Sequence, residues 1–368
     1  MRVLMTCGGT GGHIYPAVAI ADEIKRRNEN AEILFVGGEI GMEGELVPKS
    51  GYEIKLIPAD GFNRKDMRKN FVAAKRIIQG LSRASKIIDE YKPDIVIGTG
   101  GYASAPVMKT AQKKGIPTYI HEQNAFPGVS NKIQEKQAKR VFLGFKEASD
   151  YFKHPEKHIV CGNPVREDFI KADREKARQA LGFGPEDFVV LAFGGSQGAG
   201  RVNQAMMKVI EAFNGVDGVK ICLGTGGYYY DLILKDFESD GITIEDNIKI
   251  LKYIDDMPTY LAAADLVISR SGALTVAEVT VCGVPAVFIP SPNVTGNHQF
   301  FNARAVSEKG GAIIIEENDL DNEALIKTIQ GLKNDSEALK EMAKKCADCA
   351  LPEAVSIIYD NIITSYAE

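Results

Sequence analysis

The sequence predicts an α/β protein of two Rossmann-like, doubly wound domains, and three observations carry that reading. Short, β-branched apolar runs alternate with helical stretches along most of the 368 residues. Most runs end in glycine or a polar turn, the pattern of a parallel sheet covered by helices on both faces. The pattern also restarts near residue 188, where a second apolar strand enters a second glycine-dense turn. A chain of this length holds two such domains.

In the first half, Val3-Leu4-Met5 runs into Gly8-Gly9-Thr10-Gly11-Gly12-His13, and a helical pattern follows. A turn this rich in glycine reaches positive φ and lets backbone N–H groups approach a ligand. The positive end of the next helix favours an anion. Thr10 adds a hydroxyl and His13 a titratable ring. Strand runs at 33–36, 54–57, 95–97, 118–120 and 141–143 follow. The third opens into Gly98-Thr99-Gly100-Gly101-Tyr102, and the fourth runs into His121-Glu122-Gln123-Asn124. In a doubly wound sheet such loops share one rim with the opening turn.

Residues 62–90 differ in character. Arg64, Lys65, Arg68, Lys69, Lys75, Arg76, Arg83 and Lys86 interleave with Phe62, Met67, Phe71, Val72, Ile77, Ile78 and Leu81. A basic amphipathic stretch of this kind suits an anionic membrane surface.

In the second half, residues 188–193 enter Gly194-Gly195-Ser196-Gln197-Gly198-Ala199-Gly200, a second anion cradle. Further strands are expected at 219–223, 248–253, 266–269, 285–289 and 312–315. In the stretch SRSGALTVAE at 269–278, Thr275 is placed to cap a helix and Glu278 to fall in its first turn. A carboxylate there accepts both hydroxyls of a ribose. Turn chemistry at Gly162-Asn163-Pro164 sets the expected domains at 1–163 and 164–351. A last helix at 352–368 carries Ala354, Ile357, Ile358, Ile362 and Ile363 at helical spacing, and is expected to pack back across the domains.

Composition excludes several functions. A formal net charge of -5 argues against general nucleic-acid binding. No apolar run reaches the ~20 residues that span a bilayer. The N-terminal stretch reads as a strand and not as a leader, so no signal peptide is expected. The six cysteines read as buried free thiols, and Cys346-x-x-Cys349 lacks a second ligand pair for a metal. The first glycine turn lacks the Lys-[Ser/Thr] of a P-loop and the spacing of a dinucleotide fingerprint, although Glu39 stands where a ribose-binding acid would.

The ordered set GGTGGH, GTGGY, HEQN, GNPVR, GGSQGA and SRSGALTVAE, spread over nearly the whole chain, resembles the MurG family of bacterial glycosyltransferases. The resemblance implies a GT-B glycosyltransferase fold, with the two Rossmann-like domains facing across a cleft. The first domain takes the acceptor and docks on the membrane, and the second takes UDP-N-acetylglucosamine (UDP-GlcNAc). The implied reaction is inverting transfer of N-acetylglucosamine to the 4-hydroxyl of the muramoyl sugar of undecaprenyl-diphospho-N-acetylmuramoyl-pentapeptide (lipid I). The products are lipid II and UDP, with no cofactor and no obligatory metal.

By the same resemblance, His13 is the catalytic base. Thr10, Gly11 and His13, with Gly100 and Tyr102, face the acceptor diphosphate. The donor contacts are Thr10, Gly11, Gly12, Asn124, Arg166, Ser196, Ile254, Ala273, Leu274, Thr275, Glu278, His298 and Gln299. Ile254 reads the uracil edge through its backbone, and Glu278 holds the ribose. Arg68, Lys69, Phe71 and Arg76 dock on the anionic inner face of the cytoplasmic membrane, which makes the protein peripheral on the cytoplasmic side. Cell-wall assembly proteins are implied partners. The sequence is also compatible with a UDP-GlcNAc 2-epimerase, another GT-B glycolipid synthase, or a non-catalytic nucleotide-binding module.

Overall fold

The structure is a computed structural model that describes residues 1–59, 67–195 and 197–367, the side chains of 67–74, 322 and 367 excepted. Ser196 and the side chains of Arg68, Lys69 and Phe71 therefore lie outside the described residues. The chain forms two compact units, Met1–Val165 with Leu351–Glu368, and Arg166–Ala350.

The first unit is a parallel sheet of seven strands: β1 (Arg2–Thr6), β2 (Glu32–Gly38), β3 (Glu53–Ile57), β4 (Ile95–Gly98), β5 (Thr118–Glu122), β6 (Arg140–Leu143) and β7 (His158–Val160). Their spatial order is β3-β2-β1-β4-β5-β6-β7. Between them run α1 (Gly11–Arg27), α2 (Glu43–Lys49), α3 (Met67–Tyr91), α4 (Ser104–Lys113) and α5 (Val129–Gln134). Strand side chains alternate between faces, and here both faces are apolar. Val3 and Met5 join Ile14, Phe35, Ile97, Tyr119 and Phe142 on one side. Leu4 joins Val36, Ile88, Val96, Val107 and Ile120 on the other. Helices on both faces are the reason the strands read as continuous apolar runs.

The second unit repeats the plan with six parallel strands: β8 (Phe188–Phe193), β9 (Val219–Gly224), β10 (Ile248–Leu251), β11 (Leu266–Ser269), β12 (Ala286–Phe288) and β13 (Ala312–Ile314). The order is β10-β9-β8-β11-β12-β13. Its helices are α6 (Glu167–Ile170), α7 (Arg174–Leu181), α8 (Gly200–Phe213), α9 (Tyr230–Ser239), α10 (Met257–Ala263), α11 (Ala273–Val281), α12 (His298–Ser307), α13 (Asn322–Asn334) and α14 (Ser336–Ala347). Val190, Ala192, Ile221, Leu223 and Ile268 pack against Val202, Met206 and Val209 of α8 and against Leu325 and Ile329 of α13.

The last helix, α15 (Ala354–Ala367), belongs to the first unit. Ile358 and Ile362 are fully buried with Val3, Met5, Tyr119 and Phe142. Each such side chain contributes about 1.5–3 kcal/mol by leaving water. Tyr119 hydroxyl and Ser365 Oγ lie 2.9 Å apart, and Arg27 pairs with Asp360 at 2.6 Å.

In each sheet the strand order reverses once, between β1 and β4 and between β8 and β11. Loops at the carboxyl ends of such a pair form the crevice where doubly wound folds bind ligands. The two glycine turns follow β1 and β8, while the 98–102 and 269–274 loops follow β4 and β11. The two glycine turns, GTGGY and the start of SRSGALTVAE thus sit at the two topological switch points, with HEQN on the next strand, β5.

Candidate active site

The first rim is built on the 7–13 turn. Thr10 is the N-cap residue of α1 by backbone geometry, but its hydroxyl makes no capping bond. His13 follows in the first turn of that helix. Gly9 has φ +90°, a conformation natural to glycine. Its N–H donates to Glu43 Oε2 at 2.9 Å, and Gly38 N–H donates to Glu43 Oε1 at 2.8 Å. Glu43 is buried at 1% exposure, so one carboxylate clamps the first glycine turn to the end of β2. The Gly9 N–H is therefore already committed and does not serve an anion. Replacing Glu43 by Ala strands two backbone donors and is expected to cost about 1–3 kcal/mol. A urea titration reads this as a lower midpoint at unchanged slope.

The 98–102 loop lies against the same turn. Gly101 has φ +88°, and a Cβ there would stand 2.3 Å from the Gly8 carbonyl oxygen. A Cβ on Gly100 would stand 3.0 Å from His13 Cε1 and Nδ1, so the His13 ring is seated on this loop. Thr99 grips His13 at two points. Its hydroxyl donates to the His13 carbonyl at 2.7 Å, and its carbonyl receives His13 Nδ1 at 3.0 Å. Tyr102 is 64% exposed at the loop's edge.

The HEQN segment completes this rim. His13 Nδ1 also lies 2.9 Å from Gln123 Oε1. With two oxygen acceptors on Nδ1, the neutral ring carries its proton there and leaves Nε2 as the acceptor. Glu122 is buried, and its carboxylate receives the Asn124 and Gly128 N–H groups and the Asn131 amide. The Asn124 side chain also donates to it, at 3.2 Å. The structure thus brings together Thr10, Gly11, Gly12, His13, Gly100, Tyr102 and Asn124 around the carboxyl ends of β1, β4 and β5.

Glu39 is engaged elsewhere. It pairs with Arg76 at 3.1 Å and with Arg83 at 3.2 Å, so this acid is held by α3 and not turned to a ribose. Arg76, expected on a membrane face, shares that ion-pair network.

The second rim surrounds the ends of β8, β9, β10 and β11. Gly198 has φ +77°, and a Cβ on it would stand 2.0 Å from the Thr225 carbonyl. The second glycine turn therefore packs backbone to backbone on the 225–227 loop, and Asn203 locks the pair by donating to Thr225 at 2.9 Å. No acidic residue occupies the first turn of α8 or of α11, which leaves both helix N-termini suited to an anion. Ile254 follows β10, and its side chain packs beneath Gly224.

Two sequence expectations are corrected on α11. The helix starts at Ala273 with Gly272 as its N-cap residue, so Thr275 lies inside the helix and does not cap it. Glu278 accordingly falls beyond the first turn. Gly272 takes extended backbone geometry one turn earlier than the hydroxyl rule suggests. Glu278 instead owes its properties to burial, which pushes its carboxyl up to about 7 against an opposing pull from Arg166. The Arg166 guanidinium stacks 5.0 Å from the Phe169 ring at the start of α6.

Gln299 is tied into the same rim. Its Oε1 receives Ser291 N–H at 2.9 Å, and Ser271 Oγ donates to its carbonyl at 2.8 Å. His298 Nδ1 lies 2.9 Å from the Thr295 carbonyl, and Asn302 donates to the Ser271 carbonyl at 3.1 Å. Ala273, Leu274, Thr275, Glu278, His298 and Gln299 are therefore neighbours around the 269–274 turn. Three supports were not assigned from sequence: Glu43, the Glu122 hub, and the pairing of Gln123 with His13. Only Glu122 and Gln123 lie in a motif, and none of the three has a local signal naming its partner.

The comparisons with known proteins agree over the whole chain. Residues 3–143 match the glycosyltransferase family 28 N-terminal domain, and residues 189–357 its C-terminal domain. A protein of Acetivibrio thermocellus is 45% identical over 362 residues, covering 98% of this chain and 97% of its own. One of Alkaliphilus metalliredigens is 42% identical over 364 residues, covering 99% of each. Both are named UDP-N-acetylglucosamine–N-acetylmuramyl-(pentapeptide) pyrophosphoryl-undecaprenol N-acetylglucosamine transferase. The crystal structure of Acinetobacter baumannii MurG superposes with a TM-score of 0.79 at 28% identity, covering 99% of each chain. A UDP-GlcNAc 2-epimerase of Neisseria meningitidis superposes at 0.69 with 13% identity, a likeness of fold alone. With two family 28 domains on the GT-B plan and relatives above 40% identity across its length, the chain belongs to the MurG family of glycosyltransferases.

Proposed function

We propose that this enzyme transfers N-acetylglucosamine from UDP-GlcNAc to the 4-hydroxyl of the muramoyl sugar of lipid I, with inversion, giving lipid II and UDP. The observation that carries the reading is His13, whose Nδ1 is held by Thr99 and Gln123 so that Nε2 is the proton acceptor. In this mechanism Nε2 takes the proton of the attacking hydroxyl as its oxygen bonds to the sugar's anomeric carbon. The bond from that carbon to the UDP oxygen breaks, and negative charge gathers on the diphosphate.

Stabilising that charge falls to the second unit. The N-termini of α8 and α11 offer backbone N–H groups, and Arg166 a guanidinium. Glu278 accepts the ribose hydroxyls, and the backbone at Ile254 reads the uracil edge. His298 and Gln299 lie by the sugar. Thr10, Gly11, Gly12 and Asn124 line the first rim, with Gly100 and Tyr102 toward the acceptor diphosphate. Release of UDP from UDP-GlcNAc, measured with and without a lipid I analogue, tests the reading. Release that needs the acceptor supports it. Conversion of UDP-GlcNAc without acceptor overturns it.

The acceptor's polyprenyl tail places the reaction at a membrane surface. Among the described residues no helix is long and apolar enough to cross one, and the docking we propose is peripheral. On α3, Ile78 is 67% exposed beside the exposed Lys75, Arg83 and Lys86. We assign this face, flanked by Arg76, to the anionic cytoplasmic leaflet; the side chains of Arg68, Lys69 and Phe71, expected to dock with it, lie outside the described residues. Replacing Lys75, Arg83 and Lys86 together by Gln is expected to lower partition onto anionic vesicles about 10²-fold, at about 1 kcal/mol per charge lost. Sedimentation with neutral vesicles as control reads the effect, and unchanged partition rejects this face.

A further inference from the structure

His13 is the end of a longer chain of hydrogen bonds within the first unit. Gln123 Oε1 lies 2.9 Å from His13 Nδ1, and Gln123 Nε2 lies 2.9 Å from His121 Nδ1. His121 Nε2 in turn lies 3.2 Å from the Gly162 carbonyl. The polarity of this chain is over-determined by backbone groups. Gln123 Nε2 also donates to the His121 carbonyl at 3.1 Å, which only the amide nitrogen can do. The Gly162 carbonyl makes His121 Nε2 the protonated nitrogen and leaves its Nδ1 as acceptor. Gln123 Oε1 therefore points at His13 in the one orientation the site allows.

Both intermediates are sealed from water. His121 is fully buried and Gln123 is 1% exposed. Burial keeps His121 neutral, with its pKa lowered to about 4. Asn163 donates to the Gln123 carbonyl at 2.9 Å and fixes the main chain beneath. The titratable neighbours are few. His121 stands behind Gln123, Glu43 is turned to Gly9 and Gly38, and Glu122 is turned to Asn124, Gly128 and Asn131.

We propose that Gln123, backed by His121, is a positioning residue that holds the His13 ring with Nδ1–H donating inward and Nε2 presented to the acceptor hydroxyl. A base is commonly oriented by a third group, and in many enzymes that group is a carboxylate. Here it is a neutral amide. It aligns the ring without the extra pull on the proton that a charge would exert. The inference rests on the reading of His13 as the base, and its test separates the two.

The test uses the full chain labelled with ¹⁵N-histidine, the His13 resonances being assigned through His13→Ala. In Gln123→Met, which keeps the side-chain bulk and removes all three hydrogen bonds of the amide, His13 Nδ1 is left with the Thr99 carbonyl alone, and the His13 tautomer signature is expected to shift from the Nδ1–H toward the Nε2–H form. Acceptor-dependent kcat should fall about 10–10²-fold with the KM for UDP-GlcNAc held. In Gln123→Glu, nearly isosteric, the carboxylate should hold the His13 proton longer and move the acid limb of kcat upward by about one pH unit. That variant carries the test alone if Gln123→Met does not fold. A shifted tautomer balance with intact kcat upholds the positioning and rejects His13 as base. An unchanged tautomer in Gln123→Met, or an unmoved acid limb in Gln123→Glu, overturns the proposal.

Discussion

Replacing His13 by Ala is expected to lower acceptor-dependent kcat by about 10²–10⁴-fold, the range a positioned general base supplies. UDP affinity should hold within about twofold, since the nucleotide contacts proposed here lie in the second unit. The expectation follows from the ring's surroundings. The Thr99 hydroxyl and carbonyl and the Gln123 amide all hold His13, and both acceptors sit on Nδ1. The same Nδ1 bonds would also hold a protonated ring that only binds an anion, so kinetics carry the decision. The split between kcat and the acceptor KM decides between these roles. Loss confined to kcat marks an interaction made in the transition state, whereas a raised acceptor KM at intact kcat marks a binding contact and removes His13 from the chemistry.

Glu278→Gln is expected to act in opposite directions on folding and on donor binding. The folded carboxyl titrates near 7, above the ordinary 4.5, because burial outweighs the pull of Arg166. A raised value means that the fold favours the protonated acid. The wild-type chain therefore carries no penalty below about pH 4.5, loses stability as pH rises from there to 7, and bears the full cost above. At pH 8 that cost is about 2–3 kcal/mol, an upper range because the side chain keeps a solvent-facing edge. Gln at this position removes it. The variant should melt about 5 °C higher than wild type at pH 8 and at nearly the same temperature at pH 4.

UDP binding should move the other way. An ionised carboxylate facing two hydroxyls contributes about 1.5–3 kcal/mol for each bond, so the amide should weaken UDP about 10²-fold or more. Binding to wild type at pH 7 should also release about half a proton, since a carboxyl near 7 is half protonated there. Titration calorimetry in two buffers of different ionisation enthalpy measures affinity and proton count together. Equal UDP affinity in the two proteins removes Glu278 from the ribose, and parallel melting profiles remove the burial penalty.

Much of the fold was legible because each half repeats one plan. Runs such as 188–193 are apolar throughout, since both faces of a parallel sheet are covered. The rims were legible because glycine turns end strands where the strand order reverses. What lay hidden was contact between distant segments. Glu43 reaches Gly9 across 34 positions, and His13 reaches Gln123 across 110. No local pattern names such a partner. The cap of α11 departs from the sequence expectation for a different reason. Thr275 is a better cap by residue type than Gly272, but backbone geometry at Gly272 sets where the helix begins.

The first unit is completed only by residues 351–368, which bury Ile358 and Ile362 among the side chains of β1, β5 and β6. On a ribosome, all of Arg166–Ala350 emerges before that helix does. The half of the enzyme made first is therefore the half that finishes folding last. Until then it carries an open apolar strip over its central strands, a hazard for self-association during synthesis. A nascent chain stalled before residue 351 would be a client for holding chaperones, even with its second half already folded.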